Sequence, residues 1–181
     1  MRTAAYRGLA PSAEGRITVC RLAPTHGITA RQVVRAVRLA LGDRPCGTLT
    51  VAIVDDREII RLHGEFMADP TPTDVLSFDL RDTADSDVID GEIVVSAETA
   101  ERQARVFGAD PGQELLRYAI HGTLHLIGLK DRTPGERQRM RREENRVLAA
   151  LERQDAGRRQ GRRIERRESK KTRRTVHRVQ R

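Results

Sequence analysis

Apolar and polar positions along this chain follow two periods that interleave, one of two residues and one of three to four. Arg16–Leu22 (RITVCRL) alternates residue by residue, the pattern of a strand with one covered face. Thr29 can cap a helix that runs to about Leu41, with Val33, Val34, Val37 and Leu41 on one face and Gly42 as its stop. Thr48–Val54 is a β-branched run that predicts a buried strand. Asp55 opens a second helix to about Met67, with Ile59, Ile60 and Leu62 inward, and Pro70 and Pro72 break it. Val75–Leu80 is the next strand, Arg81–Asp90 a polar, Asp-rich loop, and Glu92–Val95 a further strand able to pair antiparallel with its predecessor. Ser96 caps a helix to Phe107, ended by Gly108. Pro111 begins a longer and more apolar helix to about Ile127. Thr133-Pro134-Gly135-Glu136 is a capping box with proline at the first helical position, and the helix it starts should end near Arg153.

This order, β-α-β-α-β-β and then helices, predicts an α+β fold: a small mixed sheet of about four strands packed with helices. Residues 1–15 read as a flexible extension, 16–153 as the folded domain and 154–181 as an Arg-rich tail. Beyond Asp155 the apolar residues are only Ala156, Ile164, Val176 and Val179. Burial cannot offset the ordering entropy of such a segment, so we expect it to be disordered when free.

Charge sharpens that division. The 181 residues carry 34 Lys+Arg against 26 Asp+Glu, a formal +8. Residues 156–181 alone hold twelve of the cations and two glutamates, so the body is slightly acidic and the tail strongly basic. No run approaches ~18 apolar residues, and the N-terminus lacks the apolar stretch of a secretory signal. Cys20 and Cys46 stand outside any CxxC and read as buried free thiols of a reducing compartment. The aromatic residues are Tyr6, Phe66, Phe78, Phe107 and Tyr118 alone, too few for modules that read RNA on aromatic platforms.

The chemistry concentrates in His121-Gly-Thr-Leu-His125-Leu-Ile-Gly128-Leu-Lys-Asp131. Two histidines at i and i+4 share one helix face and can share one metal ion. Gly128 can end that helix with positive φ and turn the chain back, so that Asp131 supplies a third ligand from the same side. Zinc accepts imidazole nitrogen and carboxylate oxygen, and three protein ligands leave one position for water, which makes the site catalytic in type. The spacing is similar to the zincin protease pattern H-E-x-x-H-x-x-G-x-x-H, except that Gly122 stands where that pattern has its general base. Peptide hydrolysis depends on that base to carry a proton to a poor leaving group. Phosphodiester cleavage depends on it less, because the metal itself acidifies water and neutralises phosphoryl charge. Neither a P-loop nor a G-x-S-x-G elbow is present.

Three segments in order, Pro72–Phe78 (PTDVLSF), Gly91–Ser96 (GEIVVS) and His121–Asp131, resemble the YbeY family of bacterial rRNA maturation factors and endoribonucleases. The resemblance spans about residues 50–147 well and 16–50 loosely. It implies a zinc-dependent, single-strand-preferring endoribonuclease of the cytoplasm, acting on ribosomal RNA of the small subunit near its 3′ end and in ribosome quality control. The GTPase Era is implied as a partner. Against the family pattern H-G-x-L-H-L-x-G-Y-D-H, His121 and His125 match the first two ligands. Asp131 stands at the third histidine, and Leu129-Lys130 replace Tyr-Asp. Family members often carry an arginine, thought to bind or polarise phosphate, where this chain has Met67, and an asparagine where it has His63.

The expected function is therefore metal-dependent RNA cleavage in rRNA maturation, with one zinc ion on His121, His125 and Asp131. Its rivals are a metal-bearing assembly factor that does not cleave, to which Met67 lends weight, and a zinc peptidase. The tail, through residues such as Arg158, Arg159, Arg162 and Arg163, is expected to hold RNA phosphates by counterion release.

Overall fold

The computed structural model describes residues 16–83 and 86–179, the last helix by its backbone alone beyond Arg158. The N-terminal extension expected over residues 1–15 lies outside the described residues. The elements run β1 (Arg16–Arg21), α1 (Ala30–Leu41), β2 (Cys46–Val54), α2 (Asp56–Met67), β3 (Val75–Asp79), β4 (Ile89–Ser96), α3 (Ala97–Phe107), α4 (Pro111–Leu126) and α5 (Pro134–Val179).

The strands form one four-stranded sheet in the order β1-β2-β4-β3. β1 runs parallel to β2 and β2 parallel to β4, whereas β3 is antiparallel to β4, with Leu76 opposite Val94 and Ser77 opposite Ile93. The expected mixed α+β sheet is thus present. β4 begins at Ile89, earlier than its sequence suggested, because Ile89 donates its amide to the Pro45 carbonyl and continues the parallel ladder.

Alternation along the strands gives the sheet two unequal cores. Leu49, Val51 and Ile53 of β2 and Ile93 and Val95 of β4 face α1, α4 and α5. Ala52, Val54, Leu76 and Val94 face the opposite way, onto Ile59 and Leu62 of α2. α4 is the central helix: Leu115, Leu116, Ile120 and Leu124 are all about 1% exposed or less. Such a helix, apolar almost all round, is held by neighbours on every side.

Caps fix the helix starts. Thr29 and Gln32 form a capping box on α1, and Asp110 accepts from the Gln113 amide with Pro111 at the first position of α4. The expected box on α5 is present, with Glu136 donating its amide to the Thr133 hydroxyl and its carboxylate accepting from the Thr133 amide at 2.8 Å. The end of α5 departs from expectation. Instead of stopping near Arg153 before an unordered tail, its backbone continues as one helix to Val179. Arg, Lys, Gln and Glu are good helix formers and no proline follows Pro134, so propensity favours most of that continuation, with Gly157 and Gly161 its weakest steps. Cys20 and Cys46 are free, as expected, but half-buried, and burial is the main cause that raises both thiol pKa values.

Because α4 carries the chemistry and has no exposed apolar face to yield, truncation in it should be costly. Leu116→Ala is expected to lower unfolding free energy by about 2–5 kcal/mol. The check is a urea titration, in which the midpoint falls while the slope stays that of the parent chain.

Candidate metal centre

His121 and His125 lie one turn apart in the last stretch of α4, and Gly128, with φ of +94°, reverses the chain just after it. The Gly128 amide donates to the His125 carbonyl at 2.9 Å and the Leu129 amide to the Leu124 carbonyl at 3.0 Å, which closes a tight helix end. That turn returns Asp131 to the histidines. Its Oδ2 stands 3.6 Å from His121 Nε2 and 3.7 Å from His125 Nε2, and the two Nε2 atoms are 2.8 Å apart. Arg137 holds the returning segment by donating to the backbone carbonyls of Asp131 (3.3 Å) and Arg132 (2.7 Å). All three residues singled out from the sequence are thus brought to one point, where one ligand atom from each lies within 4.8 Å of the others.

The hydrogen bonds on the far sides of the rings decide what that point can hold. His125 Nδ1 lies 2.9 Å from the Leu129 carbonyl, which can only accept, so the proton sits on Nδ1. His121 Nδ1 lies 2.8 Å from Oε1 of Glu144, a carboxylate 7% exposed. With the proton on Nδ1, each ring turns its Nε2 lone pair toward the other. Two lone pairs at 2.8 Å repel unless a cation lies between them, and a carboxylate oxygen completes the set. Around a tetrahedral metal with bonds of ~2.0–2.1 Å, ligand atoms stand roughly 3.3 Å apart, within the range seen here. The donor set fits a divalent ion.

Charge supports the arrangement. Burial pulls the His121 pKa down, but the hydrogen bond and charge of Glu144, aided by Asp74 and Asp131, more than reverse this and raise it. Burial pushes Glu144 up, and the contact with His121 and the Arg117 guanidinium carry it below the usual range. Arg117 donates to Glu144 at 3.2 Å and to the Asn145 side chain at 2.9 Å. A chain of Asn145, Arg117, Glu144 and His121 thus links α5 to the centre. Glu144 did not emerge from the sequence. The signal was available: Met140, Val147, Leu148 and Leu151 form the buried stripe of α5, and Glu144 is a carboxylate set in it.

Gly122 explains the missing peptidase base. A Cβ there would lie 2.7 Å from Ile93 Cγ2 and 2.8 Å from Ser77 Oγ, so this position faces the sheet and leaves no room for a glutamate. Other residues weighed from the sequence stand apart. His26 bonds the Ala97 carbonyl at the start of α3, and His63, on α2, the Thr71 carbonyl. Met67 is half-exposed in the last turn of α2. Arg158 is exposed on α5, and the side chains of Arg159, Arg162 and Arg163 lie outside the described residues.

Residues 25–152 match the family model described as "Endoribonuclease YbeY". The chain belongs to the YbeY family. It is 37% identical over 120 residues to "Endoribonuclease YbeY" of Carboxydothermus hydrogenoformans, covering 66% of this chain and 83% of that one. Against the Aquifex aeolicus YbeY it is 41% identical over 104 residues (57% and 69%), and against that of Anaeromyxobacter dehalogenans 35% over 150 residues (80% and 78%). The solution structure of TM1509 from Thermotoga maritima superposes with a TM-score of 0.52 at 27% identity, covering 75% of this chain and 89% of that one. His121, His125 and Asp131 form a group that could hold a metal ion.

A carboxylate that fixes the tautomer of a metal-binding imidazole usually contributes 10–100-fold in metal affinity. Glu144→Gln should weaken binding of a divalent ion by about that factor, because the amide supplies a poorer acceptor for the Nδ1 proton. Competition against a chromophoric chelator measures it, and affinity equal to wild type would show that His121 needs no such partner.

Proposed function

We propose that this protein is a zinc-dependent, single-strand-specific endoribonuclease of the cytoplasm that matures small-subunit ribosomal RNA near its 3′ end and serves ribosome quality control. The observation that carries the reading is the convergence of two histidine Nε2 atoms and a carboxylate on one point, with a hydrogen-bond acceptor behind each Nδ1. Membership of a family described as endoribonucleases supplies the substrate class. Among the described residues no helix is long and apolar enough to cross a membrane.

His121, His125 and Asp131 would hold the ion. When bound, zinc supplies a water acidified to a pKa of about 7 and positive charge against phosphoryl oxygens. The protein's own residues set the conditions. Glu144 and the Leu129 carbonyl keep both Nδ1 protons in place and both Nε2 atoms free, while Arg137 fixes the backbone that presents Asp131. An aspartate in place of a third histidine adds negative charge, which lowers the Lewis acidity of the ion somewhat. Closure of position 122 by Ile93 and Ser77 disfavours proteolysis, and the assembly-factor reading without cleavage has no feature of the centre in its favour.

Wild type and His121→Ala should be incubated with precursor small-subunit rRNA and with casein. Only wild type is expected to cut the RNA, with the variant slower by more than about 100-fold, and neither should cut casein. Equal cleavage by both would assign the activity to a contaminant, and proteolysis by wild type alone would restore the peptidase. Zinc content of Asp131→Ala should fall, and full occupancy would remove Asp131 from the ligand set.

The tail adds a second expectation. With twelve cations and two acids over residues 156–181, it should tether RNA through phosphates without reading sequence. Deleting the residues after Gly157 should weaken RNA binding and flatten its salt dependence while leaving zinc content intact. Unchanged binding at low and moderate salt would refute the tether.

A further inference from the structure

A cleft of about 290 Å³ opens beside the metal centre, between the C-terminal end of α3, the middle of α4 and the first turns of α5. His121 and Asp131 line it, so any occupant lies against the atoms that would hold the ion. Its floor sets Met140 and Tyr118, 2% and 5% exposed, beside the buried Glu144, whose charge is taken up by His121 and Arg117, and Asp74 and Glu114 also line the cleft. Burial, with Asp74 and Glu114 adding, pushes the Tyr118 hydroxyl well above the ordinary tyrosine range, so it stays a donor.

The two walls differ in chemistry. α3 contributes Phe107, 75% exposed, and Gln103 one turn before it. α5 contributes Arg137 and Arg141, also one turn apart. An aromatic ring left this open has no packing role in the fold, and it stands at the mouth of a cleft that ends on metal ligands. Arg141 is exposed and has no ion pair among the described residues, and Arg137 donates only to backbone carbonyls. The third lining arginine, Arg117, is already engaged by Glu114, Glu144 and Asn145. Two guanidinium groups without carboxylate partners, facing a free aromatic face and an amide, match a phosphate joined to a flat heterocycle. The volume, at the small end of ligand sites, takes one nucleoside unit and excludes a base still paired to another strand.

We propose that this cleft seats one unpaired nucleotide of the RNA beside the scissile phosphate, its base stacked on Phe107 and the neighbouring phosphate held by Arg137 and Arg141. The proposal rests on the endoribonuclease reading and assigns its substrate subsite. Single-strand preference then has a steric cause, since a base reaches Phe107 only when it is out of a duplex. Gln103 is placed to offer its amide to the base edge.

The test uses the full-length, zinc-loaded chain and a short single-stranded 2′-O-methyl oligonucleotide carrying 2-aminopurine at successive positions. Binding should quench the emission at one position in wild type. Phe107→Ala should abolish that quench and weaken binding roughly 5- to 150-fold, the range for loss of one stacked base, and Phe107→Tyr should restore both. Arg141→Ala should lower the slope of log affinity against log salt by about 0.7, one phosphate contact on a single strand. Zinc content and unfolding midpoint should stay at wild-type values in all three variants, because the substituted side chains are exposed. Wild-type quench and affinity in Phe107→Ala, or equal loss of affinity for a blunt duplex, would overturn the proposal. The two readings fail separately. A Phe107-dependent quench in a protein that cuts no RNA would remove the cleavage reading and keep the cleft. RNA cleavage with unchanged KM in Phe107→Ala would do the reverse.

Discussion

The close approach of α4 to the sheet at Gly122 sets the geometry on which the centre depends. With Ile93 and Ser77 within 2.8 Å of where a side chain would begin, no residue larger than glycine lets the helix settle at this depth. That contact fixes the rotational phase of α4. Once position 122 points at β3 and β4, the helical period of 3.6 turns positions 121 and 125 sideways, toward α5 and the Gly128 turn. The same contact that excludes a zincin-type glutamate thus aims both histidines at Asp131. Depth of packing and choice of chemistry are one constraint here.

Electrostatics then completes what packing begins. Burying Glu144 is costly for a carboxylate, and it is compensated by two charge-assisted hydrogen bonds, from His121 and from Arg117. The compensation is directional: it holds the Nδ1 proton of His121 and leaves Nε2 as the only free lone pair of that ring. His125 achieves the same with a backbone carbonyl, at no cost in buried charge. The two rings therefore present the same atom from different supports. A proton and a metal ion compete for one point, and Glu144 favours either cation over an empty site.

Much of this was legible in the chain. The antiparallel β3–β4 pair followed from a polar, Asp-rich loop between two apolar runs, and His121, His125 and Asp131 from i,i+4 spacing, a glycine and a carboxylate, because all of that information is local. What was not legible is non-local. The parallel pairing of β1 with β2 and of β2 with β4 joins strands separated by helices, and no sequence period reports it. Glu144 lies on a different helix from the ring it orients, and its trace, one acid in an apolar stripe, is easily read as a helix-surface charge. Phe107 read as a helix end before Gly108; only the placement of α3 against α4 makes it the rim of a cleft. Past Arg153 absence of burial and helix propensity pull in opposite directions, and the backbone of α5 follows the propensity of Arg, Lys, Gln and Glu.

That continuation of α5 joins the two halves of the charge distribution. One helix carries Glu144 at the centre, Arg137 and Arg141 on the cleft wall and, further along, the cationic run after Ala156. Over residues 156–181 every i,i+4 pair of Lys, Arg or Glu joins two cations and none joins a cation to a glutamate, so these pairs destabilise the helix by a few tenths of a kcal/mol each. Isolated helices without packing are marginal at best. A polyanion laid along such a segment removes the repulsion and adds counterion release, so phosphate binding and helical order favour each other. The net +8 is thus less a property of the folded body than a bias placed on one end of the helix whose other end sets the metal centre.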